Sequence, residues 1–212
     1  MNIPNNFHII DHALIKHKLS ILRDIKTGSK EFRELTTEIT SLLAYQATKD
    51  LTLSSCDIET PITTTKGHKI KLDNIVLTPI VRAGLGMVEG MIALIPNARV
   101  GYIGMERDRN THQPVDYYFK IPKQADRKTF IVLDPMLATG GTMIAAIDRL
   151  KDLGAKDICS ICIISSPEGM NEFCNHHQDV KIFTGALDEK LNKNKYIVPG
   201  LGDAGDRLYG TE

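Results

Sequence analysis

The feature that most constrains the fold is a set of continuous apolar segments, above all "FIVL" at 130–133 and "ICII" at 161–164. Because these segments have no polar face, they are typical of strands buried on both sides, as in a parallel sheet between two helix layers. Along the chain they alternate with stretches of helical periodicity. The sequence therefore predicts an α/β fold in which a parallel sheet is flanked by helices.

The expected elements follow from the same periodicities. The predicted strands are 74–80, 98–104, 115–121, 129–134, 157–165 and 180–186, and the predicted helices between them lie near 85–95, 141–153 and 168–177. Before this region, apolar residues three or four apart predict an N-terminal helical lead of two helices between Asp11 and Lys49. Residues 53–71, with "TKGHK" as a turn, predict a β-hairpin.

Length and composition limit the class of protein. A chain of 212 residues fits one domain, and we expect a single domain over residues 1–212. The 26 basic and 26 acidic side chains cancel, so no overall field attracts nucleic acid or a membrane surface. Four cysteines do not form a disulfide framework, and no long apolar run is present. We therefore expect a cytoplasmic protein that binds neither nucleic acid nor membrane.

The segment "VLDPMLATGGT", residues 132–142, is the first candidate site. A strand ends at Leu133, Asp134 follows at its carboxyl end, and two glycines lead into a predicted helix. Main-chain N–H groups at such a turn form a concavity of positive potential that suits a phosphate. Asp134 would repel a phosphate, so its expected partners are sugar hydroxyls. The segment predicts a ribose phosphate site, and without a Lys-Ser/Thr pair it is not a nucleoside triphosphate P-loop.

A second glycine loop, "TPIVRAGLGM" at 78–87, repeats this arrangement after another apolar strand. Arg82 lies at the turn, and Gly84 and Gly86 are expected to leave the backbone exposed to a second phosphate. An alternative is a dinucleotide site, because Glu106 follows Gly84 at about the distance of a ribose-binding acid. The irregular glycine spacing and the arginine favour the phosphate interpretation.

Several motifs together resemble a known family. The segments "VLDPMLATGGT", "PIVRAGLGM", "GMERD", "SSPEG" and "YIVPGLGDAGDRLYGT" occur in order, and the helical lead with "HKL" and "FREL" is also similar. The chain resembles the uracil phosphoribosyltransferases, a branch of the type I phosphoribosyltransferases, over nearly its whole length. The most specific element is the C-terminal segment 200–211, which the resemblance implies to be a loop covering the site and which we name the hood loop.

The resemblance implies an activity and a set of site residues. The family transfers ribose 5-phosphate from phosphoribosyl diphosphate (PRPP) to N1 of uracil, with Mg²⁺, giving UMP and diphosphate. By resemblance the residues that bind PRPP are Arg82, Arg107, Asp134, Pro135, Met136, Leu137, Ala138, Thr139, Gly140, Gly141, Thr142 and Asp203. The implied uracil pocket consists of Ile197, Gly202, Asp203 and Ala204. Catalytic roles fall to Arg82, Arg107, Asp134 and Asp203.

The resemblance also leaves points open. Pro135 stands where the wider superfamily often has a second acid. This difference is evidence against direct binding of a metal by Asp134. Asp203 is the candidate for a metal contact through water, and the role of Glu106 has no assignment. A purine nucleotide, GTP, regulates part of the family, and a homodimer or higher homo-oligomer is expected. The segment "ERDRNTHQP" around Arg107 is polar and long, which favours a lid.

Two other functional classes and one motif remain as alternatives. A nucleotide-sensing RNA-binding protein on this scaffold would need a basic, aromatic-rich stripe, which the sequence lacks. A nicotinamide-dependent oxidoreductase would use the loop at Gly84. Cys159 and Cys162 form a C-x-x-C, the pattern of redox or zinc chemistry, but they lie within a predicted strand and have no second pair. Burial is the expectation for both thiols.

Overall fold

A computed structural model describes residues 2–107 and 114–211 of the protein. Its α-helices are α1 (Ala13–Arg23), α2 (Ser29–Ala47), α3 (Val88–Ile92), α4 (Gly141–Asp152), α5 (Pro167–His176) and α6 (Ala204–Tyr209). Its first strands are β1 (Phe7–Ile9), β2 (Ser54–Glu59), β3 (Thr64–Lys69), β4 (Ile75–Val81), β5 (Arg99–Val100), β6 (Tyr102–Arg107) and β7 (Pro114–Lys120). The remaining strands are β8 (Thr129–Leu133), β9 (Met136–Leu137), β10 (Asp157–Ser165), β11 (Lys181–Leu187), β12 (Lys190–Leu191) and β13 (Ile197–Val198).

The central sheet confirms the predicted class. Its strands run in the order β1-β11-β10-β8-β4-β6-β7, with β5 beside β4 and β9 beside β10. The central pairs are parallel, for example Val76 with Phe130 and Ile158 with Phe130 on its other side. The edge strand β7 is antiparallel to β6. The fold is therefore an α/β fold with a parallel sheet flanked by helices and one antiparallel edge.

The two faces of the sheet are separated by the alternation of side chains along each strand. In β8, Ile131 and Leu133 pack with the apolar residues of α1 to α3, whereas Phe130 and Val132 pack with those of α4 and α5. The strand Ile75–Val81 divides in the same way. Burial on both faces is the reason that these segments have no polar side.

The predicted elements are largely confirmed, with differences in short ones. The two N-terminal helices form as expected. The hairpin β2–β3 also forms, paired from Ser54 with Lys69 to Glu59 with Thr64, but the prediction that "TKGHK" is its turn is wrong. These residues belong to β3, and the turn lies at 60–63, where the N–H of Thr60 donates to the carbonyl of Thr63. The strand expected at 98–104 is divided at Gly101, whose N–H donates to the carbonyl of Leu77 at 2.8 Å. Sequence periodicity missed β1, β9, β12, β13 and α6, because two to six residues are too few to establish a period.

No helix among residues 2–107 and 114–211 is both long and apolar enough to cross a bilayer.

Candidate active site

The candidate site lies where neighbouring parallel strands end at one edge of the sheet. β8 ends at Leu133, and β4, its neighbour, ends at Val81. The loop 134–142 therefore leaves the sheet beside the loop that begins at Arg82. Ligands of open α/β sheets bind at this carboxyl edge. The structure thus brings the two loops singled out in the sequence together.

The loop 134–142 is held open by the start of the next β-α unit. Ser166, the N-cap of α5, donates from Oγ to the carbonyl of Ala138 at 2.5 Å, and its N–H donates to the carbonyl of Leu137 at 2.9 Å. Two of the carbonyl oxygens of this loop are therefore directed away from its concave side. Ser166 was not among the predicted site residues, although it lies in the "SSPEG" motif.

The beginning of α4 supplies the donors of this loop. Gly140 has φ +84°, a left-handed conformation that glycine adopts without steric cost. The first helical hydrogen bond is donated by the N–H of Ile144 to the carbonyl of Gly140, so the amides ahead of it have no intrahelical partner. These amides line a cavity of about 60 Å³ formed by residues Asp134, Met136, Leu137, Ala138, Thr139, Gly140, Thr142 and Met143. A small anion suits a cavity with these donors.

Asp134 has an unusual ionisation. Its carboxylate accepts a hydrogen bond from the N–H of Met136 at 3.3 Å, which lowers the pKa. Burial has the larger, opposite effect and raises the pKa of Asp134 to about 7, with a further contribution from the negative charge of Asp203. The contribution of Asp203 places the two carboxylates in the same region. A carboxyl group with so high a pKa at a strand exit is typical of a functional site.

The Arg82 loop differs from the expectation in one respect. Residues Ala83–Met87 form a 3₁₀ helix, and Gly84 is buried, with its Cα so close to the carbonyl of Leu133 that any side chain would overlap it. Gly84 therefore packs against the neighbouring loop, and the expectation that it exposes its backbone to a ligand is wrong. Gly86 lies against Leu208 of α6. This part of the loop is covered by protein, which removes the basis of a dinucleotide site there.

Arg82 itself is more than half exposed, with 56% of its side chain accessible. Its Nη2 lies 3.2 Å from Oδ1 of Asp206, and its carbonyl accepts a hydrogen bond from the hydroxyl of Tyr209 at 3.1 Å. Both partners belong to α6. The hood loop is therefore connected to the Arg82 loop, and a guanidinium group stands between them.

The hood loop places the predicted uracil residues beside these loops. Asp203 is exposed and caps α6, accepting from the N–H of Asp206 at 3.0 Å, and Gly202 next to it is exposed as well. The side chains of Ile197 and Ala204 are buried in the apolar cluster between the sheet and helices α1 to α3. Their side chains anchor the segment. Between them Gly200 and Leu201 are buried, whereas Gly202 and Asp203 are exposed.

Three arginines that sequence reasoning missed fasten this segment to the N-terminal helices. Arg207 donates to the carbonyls of Leu22 at 2.7 Å and Asp24 at 2.6 Å and stacks on the ring of Phe32. Arg33 donates to the carbonyl of Leu208 at 2.7 Å. Arg23 forms a bidentate pair with Asp188. The helical lead is therefore part of the architecture of the site.

The structure describes the main chain of Arg107 but not its side chain or the expected lid. The main chain of Arg107 belongs to β6 and pairs with Pro114 of β7. Its side chain and that of Glu106 are outside the described residues, as are residues 108–113. Their roles remain predictions.

Among the described residues, Asp148, His176 and His177 form a cluster of possible metal ligands away from this edge. Lys151 Nζ is 3.1 Å from Nδ1 of His177, so Nδ1 accepts and the neutral ring carries its proton on Nε2. That nitrogen faces the carbonyl of Ile144 at 3.3 Å. Both ring nitrogens of His177 are engaged in hydrogen bonds, which makes the cluster a structural one.

Comparisons with known proteins agree with this arrangement. A sequence model of the uracil phosphoribosyltransferase family matches residues 9–211. The uracil phosphoribosyltransferase of Bacillus pumilus is 52% identical over 97% of this chain and 98% of its own, and that of Desulfitobacterium hafniense is 53% identical over the same shares.

Solved structures show the same fold. A protein of Aquifex aeolicus is 37% identical, with a TM-score of 0.92 over 97% of this chain and 99% of its own. An adenine phosphoribosyltransferase of Trypanosoma brucei, 12% identical with a TM-score of 0.58 over 88% of this chain and 87% of its own, shares the fold alone. The chain therefore belongs to the uracil phosphoribosyltransferase family.

Proposed function

We propose that this enzyme transfers the ribose 5-phosphate group of PRPP to N1 of uracil, giving UMP and diphosphate, as a single domain over residues 1–212. The observation that carries the proposal is the meeting of three segments at one sheet edge: the loop 134–142, the Arg82 loop and the hood loop. A donor with a phosphate at each end and a flat acceptor require three such segments.

The donor would be held mainly by main-chain groups. The unpaired amides at the start of α4 would bind the 5-phosphate, with the hydroxyls of Thr139 and Thr142 as neutral partners. Asp134 would accept hydrogen bonds from the ribose hydroxyls. Ribose hydroxyls that donate to a carboxylate favour its ionised form, so binding of the sugar would lower the pKa of Asp134 from about 7.

The chemical step calls for stabilisation of charge. As the bond from the anomeric carbon to diphosphate breaks and the bond to N1 forms, positive charge develops on the ribose ring and negative charge on diphosphate. Arg82, with Arg107, would neutralise the departing diphosphate, because a planar guanidinium binds phosphate oxygens in pairs. Removal of one well-aimed group of this kind costs about 3 to 4 kcal/mol of transition-state stabilisation. The proton of N1 leaves uracil in the same exchange and passes to the released diphosphate or to water.

Uracil would be recognised by the main chain of Gly202, Asp203 and Ala204, with Ile197 beside it. Its two carbonyl oxygens and its N3–H group can be matched by amides and carbonyls of this segment. Cytosine, which carries an amino group, would leave a buried polar group without a partner. Discrimination would therefore result from hydrogen bonds that the wrong base cannot make.

The residues present fit Mg²⁺. The carboxylates of Asp134 and Asp203 are close enough for the charge of one to raise the pKa of the other. Mg²⁺ prefers oxygen ligands and is typically bound through one or two carboxylates together with substrate phosphates. Asp203 would contact it through water, and the ion would supply positive charge to the diphosphate oxygens.

The proposal also covers the oligomeric state, the cellular location and the regulation of the enzyme. A homodimer or larger homo-oligomer is supported by the hairpin β2–β3, which pairs with no other described strand and exposes Ile62 at 93%. An isolated two-stranded hairpin is marginal in water, so a second copy is a suitable partner. A cytoplasmic location and regulation by GTP rest on the sequence and on the family resemblance alone.

Formation of UMP and diphosphate from uracil, PRPP and Mg²⁺ tests the proposal directly. A thermal-shift series with PRPP, NAD, uracil and cytosine separates donor binding from base binding. We expect stabilisation by PRPP and none by NAD. The absence of UMP, or stabilisation by NAD alone, would refute the proposed function.

A further inference from the structure

We propose that Arg23 and Asp188 are positioning residues for the base: their ion pair fixes the main chain of Gly200 and so sets the position of the segment that binds uracil. This inference rests on the proposed function of the hood loop. Neither residue was implied by the resemblance, and neither belongs to the segments that would hold PRPP.

The contacts of this pair are bidentate and enclosed. Arg23 donates from Nη2 to Oδ1 of Asp188 at 2.6 Å and from Nη1 to Oδ2 at 2.7 Å. The side chain of Asp188 is only 4% exposed. Such a parallel pair of charge-assisted bonds fixes orientation as well as distance.

Both backbone groups of Gly200 are held by the same pair. Its N–H donates to Oδ2 of Asp188 at 2.9 Å, and its carbonyl accepts from Nη1 of Arg23 at 2.6 Å. Gly200 is the first residue of the hood loop and lies two positions before Gly202. A shift of the pair would therefore move the main chain that is proposed to recognise the base.

The pair is itself anchored to rigid elements. Asp188 directly follows β11, and its N–H donates to the carbonyl of Ser165 at the end of β10, at 2.8 Å. Arg23 is the last residue of α1. The first residue of the hood loop is thus held by groups that belong to both the sheet and the helical lead. Sites on such rigid elements hold geometry more accurately than free loops.

The effect should be selective for one substrate. In the described residues, the contacts of Arg23 and Asp188 involve Gly200, and none involves the loop 134–142 or Arg82. A misplacement of about 1 Å can reduce the rate by about 100-fold when several hydrogen bonds lengthen together. Loss of the pair is therefore expected to weaken the use of uracil and to leave the use of PRPP nearly unchanged.

Two variants test the inference, with uracil and PRPP varied separately in steady-state assays. Arg23→Lys keeps the charge but cannot form two parallel bonds, and Asp188→Asn keeps an acceptor for Gly200 but loses the charge. We expect each to raise the KM for uracil by about 10-fold to 100-fold, with the KM for PRPP within about twofold of wild type. Circular dichroism and thermal midpoints establish that the variants are folded.

Glu38→Gln is the matched control. It removes the ion pair of Lys18 with Glu38, at 2.6 Å, which joins the same helix α1 to α2 without contacting the hood loop. We expect both KM values of this variant to be those of wild type.

Three results would overturn the inference. Folded variants with an unchanged KM for uracil would show that the pair does not position the base. A parallel rise of both KM values, or failure of both variants to fold, would assign the pair a general structural role. Wild-type protein that forms no UMP would instead refute the proposed function, so the two failures are distinguishable.

Discussion

Replacement of Asp134 by asparagine should stabilise the ligand-free protein and reduce its activity. The carboxyl group has a pKa of about 7 in the folded protein against an ordinary value of 3.8, chiefly because burial disfavours its charge. Between these pH values the folded protein holds a proton that the unfolded chain has released. The free energy of unfolding therefore falls as the pH rises through this window.

The magnitude follows from the two pKa values. Their difference of about 3 corresponds to about 4 kcal/mol, at about 1.4 kcal/mol for each tenfold change in the equilibrium. Relative to a side chain that does not titrate, Asp134 thus lowers the free energy of unfolding by about 4 kcal/mol near pH 8 and by about 1.5 kcal/mol near pH 5. Asparagine does not titrate and can still accept from the N–H of Met136. The advantage of the variant over wild type should grow by about 2.5 kcal/mol between these pH values.

Urea unfolding of ligand-free wild type and Asp134→Asn near pH 5 and pH 8 measures this double difference. The comparison cancels any constant difference between the two neutral side chains. Asp73→Asn, the same substitution at an exposed position outside the loop 134–142, is the control. An advantage of Asp134→Asn that is equal at both pH values would show that ionisation of Asp134 carries no cost, and the account of this site would be wrong.

Three further results are expected. Ser166→Ala removes the hydroxyl that donates to the carbonyl of Ala138 at 2.5 Å. It should lower the free energy of unfolding in urea by about 1 to 3 kcal/mol and raise the KM for PRPP. An unchanged KM would show that this hydrogen bond does not shape the loop 134–142 for PRPP. Arg82→Ala should lower kcat by about 100-fold or more. The free energy of unfolding should change by less than about 1 kcal/mol, because the Arg82 side chain is 56% exposed and its contact with Asp206 is long, at 3.2 Å. Unchanged turnover would contradict the proposed role of Arg82. Cys162 is buried as expected, whereas Cys159 is only partly buried. Desolvation nevertheless raises the pKa of the Cys159 thiol to about 12, so iodoacetamide at pH 8 should alkylate it far more slowly than an ordinary thiol. Peptide mass spectrometry measures this rate, and rapid labelling would contradict the raised pKa.

The sequence was sufficient to predict the strands and the candidate site at Asp134, because their signals lie in neighbouring residues of the chain. Continuous apolar segments without a polar face predicted the strands around Phe130 and Ile161, and the lone acid after an apolar strand predicted a site at Asp134. These inferences depend on neighbours in the chain, and the structure confirms the elements. The substrate roles of the predicted residues remain proposals.

The contacts that organise the hood loop were beyond this reasoning. Arg23 and Asp188 are 165 positions apart, and no local pattern marks an arginine at the end of a helix as the partner of one particular acid. One usable signal was present, since Asp188 follows a predicted strand much as Asp134 does. Helix α6 was missed because six residues are shorter than two helical turns.

The contact of Gly84 with the carbonyl of Leu133 has a consequence for the range of donors. It places the main chains of the two loops against each other where they leave adjacent strands, which lie about 4.8 Å apart. Exchange of side chains could alter which charges or hydroxyls are accepted. It could not separate the two main chains at this contact, because a side chain at position 84 would overlap the carbonyl of Leu133.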